Sequence, residues 1–99
     1  MLAAAAVIQA SAITPLWLRD VRISPDSKKI AFTYKGDIYT VPTTGGAATR
    51  LTTNPAYDEQ PVWSPDGKLI SFASDRNGSA DVYVMPANGG NALRLTKHS

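Results

Sequence analysis

The chain has no cysteine and a single histidine, His98, among its 99 residues. The first absence removes disulfides, thiolate metal centres and thiol nucleophiles together, and leaves the redox compartment open. The second leaves histidine chemistry with one group. Charge of one sign is scarce too: the net charge is +2, and no run or helical face of Lys and Arg offers a footprint for a phosphate backbone, so nucleic acid is not an expected partner. Long apolar runs are missing. The one unbroken stretch, residues 2–8, is far shorter than the roughly 20 residues a membrane helix needs, so no membrane span is expected. What is present, 43% hydrophobic and 18% charged residues, is the composition of a folding chain and not of a disordered one.

The apolar stretch is followed by Gln9 and by Ala10-Ser11-Ala12, a small-x-small pattern like that read by a signal peptidase. No Lys or Arg precedes it. Residues 1–14 therefore read as a signal-peptide remnant or as an apolar lead-in, with the folded material in residues 15–99. The first reading places the protein in the periplasm or outside the cell.

One stretch is written twice. Ile23-Ser24-Pro25-Asp26 with Lys28, Ile30 and Phe32 recurs as Trp63-Ser64-Pro65-Asp66 with Lys68, Ile70 and Phe72. Asp37-Ile38-Tyr39 returns as Asp81-Val82-Tyr83, Pro42 as Pro86, Gly45-Gly46 as Gly89-Gly90, and Arg50-Leu51-Thr52 as Arg94-Leu95-Thr96. The offset is 40 residues at Ser24/Ser64 and 44 at Arg50/Arg94, so the second copy holds four more residues, all in one central turn. Each copy has four strand-like runs. Ile30, Phe32 and Tyr34 alternate with Ala31 and Thr33 at the period of a strand, and turn chemistry falls at Pro25-Asp26, Lys35-Gly36, Gly45-Gly46 and Asn77-Gly78. A period of about 40–45 residues with four short strands is the signature of β-propeller blades, which must stack to bury their faces. The expected fold is all-β, with two four-stranded antiparallel meanders of an incomplete propeller. Blade one covers about 20–52 and blade two about 60–96, with residues 53–60 as the link. Tyr39 and Val41 fall on one side of their strand and Ile38 on the other, so both faces need covering.

These residues resemble a family. Val62-Trp63-Ser64-Pro65-Asp66-Gly67-Lys68, Ala73-Ser74-Asp75-Arg76-Asn77-Gly78, Asp81-Val82-Tyr83-Val84-Met85 and Arg94-Leu95-Thr96 look like the WD40-like repeat of the propellers in TolB and in tricorn-type proteases. Pro15-Leu16-Trp17-Leu18-Arg19, Ile23-Ser24-Pro25-Asp26, Tyr34-Lys35-Gly36-Asp37-Ile38-Tyr39 and Val41-Pro42 are similar to the opening of secreted tricorn-like serine peptidases. Ser27 stands where the turn usually has glycine, and Arg22 where the strand usually has an apolar residue. The resemblance covers residues 15–99. It implies a catalytic serine, base and oxyanion donors in domains far C-terminal to the propeller, so no catalytic residue carries over to this chain, and it implies a binding role. Two functions follow: a non-catalytic propeller segment from the N-terminal part of a periplasmic tricorn-like serine peptidase, serving substrate access or domain packing, or a TolB-like interaction module of the cell envelope. The implied partners are further blades and C-terminal domains of a longer chain, or another protein or peptide. An isolated piece with uncovered blade faces is expected to self-associate.

The remaining chemistry-bearing residues read as structural. A Ser-His-Asp set can be drawn from Ser24 or Ser64, the Asp two residues on, and His98, but the Ser-x-Asp element is duplicated and the histidine is not. Adjacent Asp58 and Glu59 suit a solvated loop better than a shared acid/base site. Asp37 and Asp81 start strands, where each carboxylate can accept nearby backbone N–H bonds; a compact oxygen-rich metal loop is missing. The Gly-Gly pairs precede short strands and not a helix that could hold phosphate. Asn77-Gly78-Ser79 spells a glycosylation triplet, yet the turn accounts for it. Tyr39, Tyr83 and Trp63 occupy repeat positions and are expected in inter-blade packing; unpaired Trp17 and Tyr57 are also assigned to packing. No catalytic, cofactor-binding or metal-binding residue and no cofactor is assigned.

Overall fold

The structure, a computed structural model, describes residues 19–96. The proposed leader, Trp17 and His98 lie outside them. Eight strands follow one another: β1 (Arg19–Ile23), β2 (Lys29–Tyr34), β3 (Asp37–Pro42), β4 (Thr49–Arg50), β5 (Asp58–Trp63), β6 (Leu69–Ser74), β7 (Asp81–Pro86) and β8 (Leu93–Arg94). They form two antiparallel sheets in the orders β1-β2-β3-β4 and β5-β6-β7-β8, as the duplicated sequence requires. Among the described residues there is no helix. The fourth strand of each blade is shorter than its sequence suggests. Only Thr49 and Arg50 join the β3 ladder, although Leu51 still donates its N–H to the Ile38 carbonyl at 2.7 Å. The inter-blade link also ends earlier than expected, because β5 already begins at Asp58.

The turns fall where the punctuation predicts. Lys35 (φ 51°) and Gly36 (φ 83°) both take left-handed conformations, the requirement of a two-residue hairpin whose twist matches its strands. In blade two the four additional residues widen this turn, and Gly78 donates its N–H to the Asp75 carbonyl at 2.9 Å.

Directly paired residues share a sheet face, so the register sorts the side chains. In blade one Ile30, Phe32, Tyr34, Tyr39 and Val41 lie on one face, with the Phe32 and Tyr39 rings stacked at 5.6 Å. Ala31 and Ile38 lie on the other, and that face is covered by blade two. Ile38 sits among Phe72, Tyr83 and Met85, while Ala31 meets Ile70 and Ala87 with Trp63 alongside. Tyr83 and Trp63 thus pack between blades as expected. Tyr39 does not: its cluster partners among the described residues all come from blade one.

Three hydrogen bonds fix the angle between the sheets. Asp58 donates its N–H to the Gly36 carbonyl at 2.8 Å, Gln60 donates its N–H to Asp20 Oδ2 at 3.1 Å, and Trp63 Nε1 donates to the Arg22 carbonyl at 3.0 Å. Asp20 (φ 55°) and Gln60 (φ 58°) occupy the same position of a bulge in β1 and β5, so one bulge is tied to the next.

Candidate functional site

The Ser-Pro-Asp turns flank a surface cleft. Ser24 Oγ donates to Asp26 Oδ1 at 2.7 Å, the same carboxylate oxygen accepts the Lys28 N–H at 2.9 Å, and Ser24 Oγ accepts the Lys29 N–H at 3.0 Å. Ser64, Asp66, Lys68 and Leu69 repeat the pattern at 2.7, 3.0 and 2.9 Å. The serine hydroxyl bond and the backbone N–H hold both Asp26 and Asp66 below the ordinary carboxylate value. Each hydroxyl is therefore an internal strut of its own turn, with its proton given to an adjacent carboxylate, and not a nucleophile poised on a base.

Between these two turns lies a cleft of about 580 Å³, within the size range of ligand sites, with Trp63 and Ala87 as apolar lining and Lys28, Lys29, Lys68, Asp26 and Asp66 as charged lining. None of the three lysine side chains takes part in an ion pair among the described residues, where the ion pairs are all Arg–Asp. The cleft can hold a small or extended polar ligand; no arrangement in it resembles a nucleophile with its base.

At the opposite end of the sheets the repeated Asp and Arg-Leu-Thr form a clip. Arg50 Nη2 pairs with Asp37 Oδ2 at 2.7 Å, and the Thr52 hydroxyl accepts the Ile38 N–H at 2.9 Å while donating to Asp37 Oδ1 at 3.4 Å. Arg94, Asp81 and Thr96 do the same, with Arg94 Nη2 at 2.7 Å from Asp81 Oδ2. Both carboxylates thus take side-chain donors from Arg and Thr. Burial raises Asp37 above the ordinary carboxylate value, and the Arg50 charge offsets this only in part.

Asp58 corrects the sequence reading more sharply. It is no solvated loop residue: its side chain is fully buried on β5, paired with Arg76 Nη2 at 3.2 Å. Arg76 in turn lies 5.4 Å from the Phe72 ring centre and 4.7 Å from that of Tyr83. Glu59 points away and is partly exposed. The additional residues of the second central turn supply Arg76, and Asn77 Nδ2 donates to the Tyr83 hydroxyl. Tyr57 is 53% exposed, but its ring lies over Gly36, where an added Cβ would come within 3.0 Å of Cδ1. Sequence reasoning missed the lysine-rimmed cleft, since Lys28 and Lys68 stand 40 positions apart and only the stacking of the blades brings them together.

Residues 15–99 match the family described as the tricorn protease N-terminal beta propeller domain. An uncharacterized protein of Agrobacterium fabrum is 43% identical over 61 residues, which cover 56% of this chain and 20% of that protein. YuxL, an uncharacterized peptidase of Bacillus subtilis, is 43% identical over 56 residues, covering 52% of this chain and 8% of its own length. Among solved structures, a protein assigned as TolB from Agrobacterium tumefaciens superposes with a TM-score of 0.74 at 25% identity, over 87% of this chain and 32% of that one. The chain spans a third or less of each of these proteins.

Proposed function

The chain belongs to the family of tricorn protease N-terminal β-propeller domains, and on that premise we propose that it is a non-catalytic propeller segment of a periplasmic or secreted tricorn-like serine peptidase, serving substrate access or domain packing. One observation carries the reading. Val62, Leu69, Val82 and Leu93 lie together on the outer face of blade two, by the pairings Val62–Ser71 and Val84–Leu93, and all four are exposed. The equivalent face of blade one, with Ala31 and Ile38 completely buried, is the one that blade two covers. A surface of that kind fits a further blade, and the relative named as a peptidase supports the peptidase reading.

Sedimentation of the 99-residue chain tests the reading. Concentration-dependent self-association is expected, whereas a stable, cooperatively unfolding monomer would mean that two blades suffice alone. The likeness to the TolB structure favours a second reading, a protein-docking module of the cell envelope. The reading frame that encodes the chain discriminates between the two: a peptidase domain beyond the propeller supports the first, an end after about six blades supports the second. Export is tested separately, by cell fractionation of the chain with and without residues 1–14. The peptidase reading expects the fraction outside the cytoplasm to disappear with the deletion.

A further inference from the structure

The cleft between the two Ser-Pro-Asp turns is lined by more cationic than anionic residues. Each Asp in it is committed: Oδ1 of Asp26 accepts from Ser24 and from the Lys28 N–H, and Oδ1 of Asp66 from Ser64 and from the Lys68 N–H. Both carboxylates are held ionised by these bonds. The lysines are held less closely: the charges of Lys28 and Lys68 help to lower Asp26 and Asp66, but as a minor cause beside the hydrogen bonds. Lys28, Lys29 and Lys68 contribute backbone groups to the turns and their neighbours, and all three residues line the cleft with no ion pair within 4 Å among the described residues. Three cations against two anions leave the cleft positive.

The indole of Trp63 forms part of the wall. Its Nε1 is already spent on the Arg22 carbonyl, so the ring's one polar atom has its partner within the protein. Ala87 and Gly67 are small and keep the approach open. An apolar wall beside an excess of lysines that make no close ion pair, in a space of about 580 Å³, suits an extended segment that presents carboxylates next to carbon, and a simple inorganic anion leaves the indole unused.

From this juxtaposition we infer that the inter-blade cleft is a docking site for an acidic peptide segment, held by Lys28, Lys29 and Lys68 against Trp63. The inference deepens the binding role proposed above by naming the chemistry of its ligand, and rests on that reading. The site needs both blades, because Lys28 comes from one turn and Lys68 from its copy.

The test is fluorescence anisotropy of a labelled, Glu-rich hexapeptide containing one leucine, titrated with the 99-residue chain, beside the same peptide with Gln for Glu. Binding of the Glu peptide is expected to weaken about tenfold between low and physiological salt and by at least about tenfold in Lys68→Gln. Lys35→Gln, at the far end of the sheet, is expected to leave it unchanged. Circular dichroism of each variant reports whether the fold survives, and Lys28→Gln repeats the test from the other blade. Equal binding of the Gln peptide, displacement by inorganic phosphate at the same concentration as by Glu peptide, or binding indifferent to both lysine variants would overturn the inference. Self-association bears on the missing-blade reading, and peptide binding on this one, so either can fail alone.

Discussion

Ser27 has φ 63° in the turn where its counterpart Gly67 has φ 74°. A left-handed conformation costs an L-residue more than it costs glycine, while glycine loses more freedom on folding. The balance predicts that Ser27→Gly stabilises the chain by about 0.5 kcal/mol and that Gly67→Ser does the opposite, read as shifts of the urea midpoint. Acid behaviour also belongs to single residues. Asp26 and Asp66 have folded values below the unfolded one, so the stability they add is complete above the unfolded carboxylate range and is lost as pH falls through the lowered values. Asp37 has the opposite sign: its raised value means that ionisation costs stability at neutral pH, a cost relieved as pH falls through that value. The urea midpoint should therefore decline below about pH 4 in the native chain and decline less in the Asp26→Asn/Asp66→Asn variant. Ser27 and Gly67 were legible from the repeat, because a turn that has glycine in one copy demands the same backbone in the other. Asp58 was not legible, since its partner Arg76 stands 18 residues away and adjacent Asp58-Glu59 reads as surface.

Strands and turns were mostly legible, because alternation of period two and turn dipeptides are local signals. The clip that fastens β4 to β3 was visible as a recurrence of Arg-Leu-Thr, but its purpose depends on contacts 13 to 15 residues apart. The two-residue length of β4 follows from that clip: past Arg50 the Thr52 hydroxyl takes the Ile38 N–H that a longer strand would pair. The ion pair of the second central turn is the most demanding feature at this scale. Removing Arg76 leaves the Asp58 charge buried and unpaired, so Arg76→Ala should cost about 3 kcal/mol in urea unfolding. Asp58→Asn in the same background should recover part of it. A loss no larger than that of an exposed residue would show that Asp58 reaches water by another route.

On the scale of the whole molecule, one sheet face is covered and its counterpart is open. Leu93 is 65% exposed on the open face, so Leu93→Lys should reduce self-association in light scattering while leaving the circular dichroism spectrum intact. Ile38 is fully buried on the covered face, and Ile38→Lys should abolish folding. The three hydrogen bonds that join the sheets share a direction. The N–H groups of Asp58 and Gln60 and the indole of Trp63, all from the later copy, meet oxygens of the earlier one at Gly36, Asp20 and Arg22. The junction thus has a polarity, like a plug and its socket. A mirror-like pairing of two open faces would set socket against socket, so a further blade that stacked on β5–β8 in the same manner would have to arrive with its donors foremost.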